Sequence, residues 1–311
     1  MKAERYLNVR IRQIDIQQII RILGMEVISV YGLVDCQIDN LADANHTNER
    51  TLDWINSNNE NKQEATESSV AKVILTDDTV HYSDILKKQG KTVIVVKDPK
   101  RALAIVGNEF FVDTFTPGIH SSCIIDPDAE IADDVSIAPF VQIGKARIGK
   151  GTVISANVRI YDDVVIGDYC FIKEGAVIGG QGYGYEIDNE GNRFRFPQIG
   201  GVIIGNHVDI GGNTCIDRGA LSDTIIEDYA KIDNLCHVAH NVHIGKNAMV
   251  IACSEVSGSC KIGENAWIGP NTSVRDWRNI GSNSTIGIGS NVVKDVPSNE
   301  VWAGNPAKKM R

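Results

Sequence analysis

Aromatic side chains are scarce in this chain, at 6% of 311 residues, and glycine is plentiful, at 29. A shortage of large rings argues for a narrow interior, and many glycines suit tight corners. No excess of basic residues is present. Lys and Arg number 31 against 40 Asp and Glu, for a net charge of −9 and a pI near 5.3. A polyanionic partner asks for a basic face, so nucleic acid is excluded as a ligand. The seven cysteines (36, 123, 170, 215, 236, 253 and 260) form no CxxC pair and are odd in number, which excludes a disulfide framework and predicts reduced, mostly buried thiols. Long apolar runs are missing as well. No stretch approaches a transmembrane length, and Met1-Lys2-Ala3-Glu4-Arg5 leads into charge rather than a signal core, so a cytoplasmic protein without a transmembrane segment is expected.

What the chain does have is an aliphatic residue at every sixth position. Ile226, Ile232, Val238, Ile244, Val250, Val256, Ile262, Ile268, Val274, Ile280, Ile286 and Val292 follow one another without a gap. Helices repeat every 3.6 residues and strands every 2, so a strict six implies short strands separated by tight turns, each wound onto the last. The period predicts a hexapeptide β-helix. It begins at Ile125, drops one residue between Ile143 and Ile148, and runs on to Ile178. An insertion, 179–202, then interrupts it and concentrates the aromatics Tyr183, Tyr185, Phe194 and Phe196. Such an insertion must leave the coil as a loop. The period returns at Ile204, slips near Ser222 and locks in at Ile226, for about 25 hexads or roughly eight coils of three.

Residues 1–118 lack the period and predict a separate small α/β domain. Ile14 to Leu23 reads as an amphipathic helix, Val73 to Leu75 and Val93 to Val96 as buried strands, and Asp98-Pro99 as the start of a helix reaching Phe110. Asn56 to Ser69, rich in Asn, Glu, Lys and Ser, predicts an exposed loop. The β-helix is expected over 119–296 and a short tail over 297–311.

Within the repeat, His237-Val238-Ala239-His240-Asn241 is the densest cluster of titratable groups. Val238 points inward in this register, so His237 and His240 face out near a corner. Residues 197–245, PQIGGVIIGNHVDIGGNTCIDRGALSDTIIEDYAKIDNLCHVAHNVHIG, resemble the UDP-3-O-acylglucosamine N-acyltransferase family of the lipid A pathway, and the resemblance extends to GGQGYGY at 179–185 and, more loosely, to VVKDP at 95–99. The combination of IDRGAL, IDN and AHN at this spacing is specific. The resemblance implies a left-handed β-helix, a homotrimer with sites in the grooves between subunits, and a general-base role for His240. An imidazole near neutral pKa suits the task, because a sugar amine attacking a thioester must lose a proton. Substrate contacts are expected from Asn234, Asn241, His237 and Gln198, and from Gly182, Tyr183 and Tyr185 in a loop that closes over the ligand. A backbone N–H would stabilise the thioester oxyanion. Trp54 falls where the family stacks an aromatic on uracil.

Two features depart from the family. Trp277 in Arg275-Asp276-Trp277-Arg278 stands where another functional His is usual, and the chain ends in VWAGNPAK rather than in an extended helix that engages acyl carrier protein. This ending is similar to that of acyl-CoA-dependent hexapeptide acetyltransferases. It implies donor contacts from Trp277, Asn305 and Lys308, with Lys309 and Arg311 near the phosphates. The reading is therefore an N-acyltransferase that moves an acyl group from acyl-CoA or acyl carrier protein to a nucleotide-linked amino sugar, for surface polysaccharide or, alternatively, for lipid A. No metal is required. A γ-type carbonic anhydrase would need a His-x4-His pair, and no two histidines here are five apart. A non-catalytic scaffold would not require the AHN cluster. An acyl-Cys route through Cys236 or Cys253 lacks an adjacent base.

Overall fold

The computed structural model describes residues 7–8, 13–43, 45–112 and 114–310. The opening Met1 to Arg5 and the terminal Arg311 fall outside them. The chain divides into two compact units, Met1–Phe115 and Thr116–Arg311.

The first unit is α/β. Its sheet runs Val27–Tyr31, Thr92–Val96, Val73–Thr76, Leu52–Trp54, with the first pair antiparallel and the others parallel. Val73–Thr76 and Thr92–Val96 are buried along their whole length, as central parallel strands must be. Two helices start where the sequence signals them. Asp15 caps Ile16–Leu23 in a reciprocal capping box with Gln18, and Asp98 caps Pro99–Phe110. One expectation fails, because residues 62–68 of the supposed exposed loop form a helix, Lys62–Ser68. Tertiary contacts hold it: Thr66 is buried, Lys62 pairs with Asp77 at 2.7 Å, and the buried Lys91 ammonium donates to the carbonyls of Thr66, Glu67 and Ser69 at the helix end. Composition alone could not reveal a capping lysine twenty-odd residues away.

The second unit is a parallel β-helix with three sheets of eleven, nine and eight strands. Eight coils therefore contribute a strand to every sheet. Most strands are two residues long, and their second residue is the inward aliphatic, as in Lys231–Ile232, His237–Val238 and His243–Ile244. Within each sheet these residues stack one coil above the next, as in Ile226, Ile244, Ile262 and Ile280, eighteen residues apart. Each is essentially sealed from solvent and contributes about 1.5–3 kcal/mol.

Two further positions define the hexad. Two residues before most inward aliphatics lies a second, small buried residue, among them Ala230, Cys236, Ala248, Ser254, Cys260, Ala266 and Thr272. Three residues after it the backbone turns a corner at positive φ, at Tyr229, Leu235, Asn241, Asn247, Cys253, Ser259, Asn265, Asn271, Trp277 and Asn283. Asn recurs at the corner because its side chain tolerates the left-handed region. These positions correct the cysteine reading. Cys170, Cys236 and Cys260 are buried, but Cys215 faces out from a strand and Cys253 occupies a corner, so both are exposed.

The insertion leaves after the strand Val177–Gly180 and forms an exposed antiparallel hairpin, Tyr185–Ile187 with Arg193–Arg195, before the coil resumes at Val202–Ile204. Arg218 anchors its start, with Nε donating to the Gly179 carbonyl at 3.0 Å and Nη2 donating to that of Asp162. Residues 297–310 close the end of the coil. Val301–Ala303 adds in parallel to Thr285–Ile286, Lys308–Lys309 folds back antiparallel, and Ala307 is buried. The tail thus covers the terminal rung, a recurrent need of solenoids.

Candidate active site

The corner after His237–Val238 carries the cluster. A cleft of about 720 Å3 opens beside it, lined by His240, Asn241, Ser222, Gln198, Tyr185, Phe196, Lys261 and Trp277 among others. The 18-residue coil places His240, Gly258 and Asp276 in one vertical row and Asn241, Ser259 and Trp277 in the next. Trp277 is 68% exposed on the cleft wall.

Asn241 fixes the proton of His240. Its Nδ2 donates to both the carbonyl and the hydroxyl of Ser222 at 2.9 Å, and its Oδ1 accepts the Ala220 N–H at 3.0 Å, so the amide has one possible orientation. The same Oδ1 lies 3.0 Å from His240 Nδ1. An oxygen can only accept, so Nδ1 carries the hydrogen, and in the neutral ring the lone pair then belongs to Nε2. The corner backbone is held in turn by the Asn241 N–H donating to Thr224 Oγ1 at 2.9 Å.

Glycines pack closely against two edges of the ring. A Cβ on Gly258 would lie 2.8 Å from His240 Cε1 and Nε2, and one on Gly182 would lie 2.9 Å from His240 Cβ and 3.1 Å from Cδ2. The Gly258 carbonyl accepts from the Trp277 N–H at 3.0 Å, whereas its own N–H has no acceptor among the described residues. A peptide N–H beside a basic imidazole nitrogen has the composition of an oxyanion hole.

The other expected residues divide. Gln198, Tyr185, Trp277 and Asn241 share the cleft with His240, and Gly182 packs on the ring. Tyr183 is exposed next to the cleft and meets Tyr185 edge-on at 4.9 Å. His237 stands on the strand and is paired with Asp217 at 3.0 Å, which raises its pKa above the ordinary imidazole value. His243 is likewise paired with Glu227 at 2.7 Å. Asn234 does not reach the cleft. Its Oδ1 accepts the Gly212 N–H at 2.7 Å, and the left-handed corner belongs to Leu235. Trp54 lies in the first unit, half-buried in a pocket of about 610 Å3 with Asp53, Asn56 and Ser69. Asn305 and Lys308 are exposed on the terminal rung and Lys309 pairs with Glu300 at 2.6 Å; none of the three lines the cleft. Burial pushes the Cys236 thiol up, which disfavours a thiolate nucleophile there.

Sequence reasoning missed Gly258, Lys261 and Ser222. The first two sit eighteen residues beyond His240 and His243, so the coil period contained the signal. Ser222 lies where the hexad register slips, and no period predicts its place.

A bacterial transferase hexapeptide (six repeats) model matches residues 145–180 and 259–294. Curated relatives named UDP-3-O-acylglucosamine N-acyltransferase include those of Polynucleobacter asymbioticus, 34% identical over 58% of this chain and 59% of that protein, and Pseudomonas syringae, 42% identical over 51% of each. The chain thus spans between half and three fifths of the length of those two. With the Coxiella burnetii protein of the same name it shares 33% identity over 74% of this chain and 71% of that protein. Among solved structures, LpxA from Acinetobacter baumannii superposes with a TM-score of 0.57 at 30% identity, covering 62% of this chain and 73% of that one. The UDP-N-acetylglucosamine acyltransferase from Campylobacter jejuni gives 0.56 at 27% identity, covering 62% and 74%. Hexads, corner and glycine-packed histidine occur here in a chain related over most of its length to the Coxiella protein, and it belongs to the UDP-3-O-acylglucosamine N-acyltransferase family.

Proposed function

We propose that this protein transfers an acyl group from a thioester to the amine of a UDP-linked 3-O-acylglucosamine. The relatives' shared name favours this lipid A reading over the broader amino-sugar reading for surface polysaccharide. The observation that carries the chemistry is the Asn241 network, which places the lone pair of the neutral His240 ring on Nε2, beside a cleft. In the proposed reaction the amine nitrogen attacks the thioester carbonyl carbon while Nε2 takes one amine proton. Negative charge grows on the carbonyl oxygen, and the Gly258 N–H donates to it. The tetrahedral adduct then collapses, the C–S bond breaks, and the imidazolium returns the proton to the departing thiolate.

Trp277 is proposed to meet the donor on the cleft wall. Asn305 and Lys308 are proposed for the phosphate end of a CoA donor, and Trp54 for the nucleotide base. Asn234 and His237 act through the backbone and Asp217 respectively, at the margin of the site. The same reading carries a homotrimer in the cytoplasm and needs no metal. The test is direct: purified protein is given UDP-3-O-acylglucosamine with either 3-hydroxyacyl carrier protein or acyl-CoA, and the products are read by mass spectrometry. An N-acylated product supports the reading, and the productive donor identifies the carrier. Absence of product with both donors overturns it.

A further inference from the structure

Gln198 is 9% exposed and lines the His240 cleft, yet its Oε1 is buried without a donor among the described residues. Leaving a buried acceptor unpaired costs about 1–3 kcal/mol, so such an atom in a cleft points to a donor on the ligand. The amide orientation follows from its other end, where Nε2 donates to the Phe196 carbonyl at 3.4 Å. Oε1 is therefore turned the opposite way, toward the histidine. A Cβ added to Gly182 would lie 2.8 Å from Gln198 Oε1, 2.9 Å from His240 Cβ and 3.1 Å from His240 Cδ2, the carbon bonded to Nε2, so Gln198 and His240 both pack against this glycine. Acceptor and base thus stand side by side on the wall of one cleft.

Two acceptors side by side impose a count on the nucleophile. A neutral amine has two N–H bonds and one lone pair. It can give one hydrogen to His240 Nε2 and the other to Gln198 Oε1 while the lone pair faces the thioester carbon. A hydroxyl has a single hydrogen, which His240 must have, so Gln198 stays unpaired. We propose that Gln198 orients the attacking amine through its second N–H and thereby selects N-acylation over O-acylation. The proposal rests on the transfer reaction above and adds the residue that distinguishes amine from hydroxyl. Sites built to hydrogen-bond a substrate group discriminate strongly against the analogue lacking it, because their own polar atoms are then stranded.

The experiment compares three acceptors in the full-length protein: UDP-3-O-acylglucosamine, the matching sugar with a hydroxyl in place of the amine, and the N-methylamine, which retains one N–H. Wild type and Gln198→Met are measured, and the readout is the ratio of kcat/KM between acceptors. Intrinsic nucleophilicity cancels when ratios are compared between the two proteins. The expected result is an amine-to-hydroxyl ratio at least tenfold smaller in Gln198→Met, mostly through a slower amine reaction, with the N-methyl penalty reduced in parallel. A Gln198→Glu variant keeps an acceptor and retains the preference. Equal losses on amine and hydroxyl, or no loss on either, overturn the Gln198 assignment while leaving the transfer reaction standing. Failure of wild type to acylate any amine overturns the underlying reading instead. Should Gln198→Met fail to fold, the wild-type comparison decides: an N-methylamine used as well as the primary amine refutes the role of the second N–H.

Discussion

Replacing Gly258 with alanine adds one methyl group at the point where the account is most exposed. The φ of Gly258 is not in the left-handed region, so the backbone accepts a Cβ and the cost to the fold is small. The new atom, however, would lie 2.8 Å from His240 Cε1 and Nε2 and 3.4 Å from Nδ1. Carbon contacts are optimal near 3.5–4.0 Å, so the ring must retreat by roughly an ångström. Gly182 already packs against the Cβ–Cδ2 edge of the ring, which limits the retreat. The ring must swing, and swinging breaks the 3.0 Å contact with Asn241. A misplacement of that size at a reacting group costs on the order of 10²-fold in rate. The assay is steady-state transfer from thioester to amine, with thermal unfolding alongside to confirm an intact fold. Gly258→Ala is also made in a His240→Ala background, where the methyl meets no ring. The expected result is a loss of about 10² in kcat/KM for the single variant and no further loss in the double, a coupling read directly from the cycle. Full activity in Gly258→Ala would refute the close packing on the ring. A loss that persists without His240 would show that the methyl acts on the Gly258 N–H rather than on the base.

Asn241→Leu removes the acceptor at His240 Nδ1 and frees the imidazole to take the wrong tautomer, so kcat should fall by roughly 10²-fold or more with KM little changed. His237 has a folded pKa raised by Asp217, so its contribution to stability is full below about pH 6.5 and is lost as pH climbs through the raised value. The melting temperature of wild type relative to His237→Gln should accordingly narrow between about pH 6 and pH 8, and a difference that grows over that range contradicts the pairing. Arg218→Ala removes charged hydrogen bonds to the Gly179 and Asp162 carbonyls, each worth about 1.5–3 kcal/mol at most in this partly exposed setting. Trypsin should then cut the hairpin at Arg193 or Arg195 faster than in wild type, and equal cleavage rates count against the anchor. Ile244→Ala opens a gap in the stack and should destabilise by about 2–5 kcal/mol in chemical unfolding.

The rod was legible because one rule repeats. An inward aliphatic every six residues specifies strand, turn and stacking together, and the positions of Ile226 to Val292 read straight into coils. The same period, tripled to the length of a coil, places Gly258, Lys261 and Trp277 in the rows of His240, His243 and Asn241. What it could not deliver were contacts made outside the period. Gln198 and Gly182 reach His240 only because the insertion folds back over the corner, and Ser222 meets Asn241 where the register slips. His237 and Asn234 look like partners of His240 in sequence, but alternation along the strand turns His237 toward Asp217, and a hydrogen bond to the coil below occupies Asn234. In the first unit the helix Lys62–Ser68 was hidden in polar composition, since the buried Lys91 that completes it belongs to another part of the chain.

The central claim is that His240 Nε2 is the base for acyl transfer, and kcat/KM for transfer from thioester to UDP-3-O-acylglucosamine in wild type and His240→Ala tests it most directly. Losing a positioned general base predicts a fall of roughly 10²–10⁴-fold with the fold intact. A variant that retains activity within a few-fold of wild type would contradict the account.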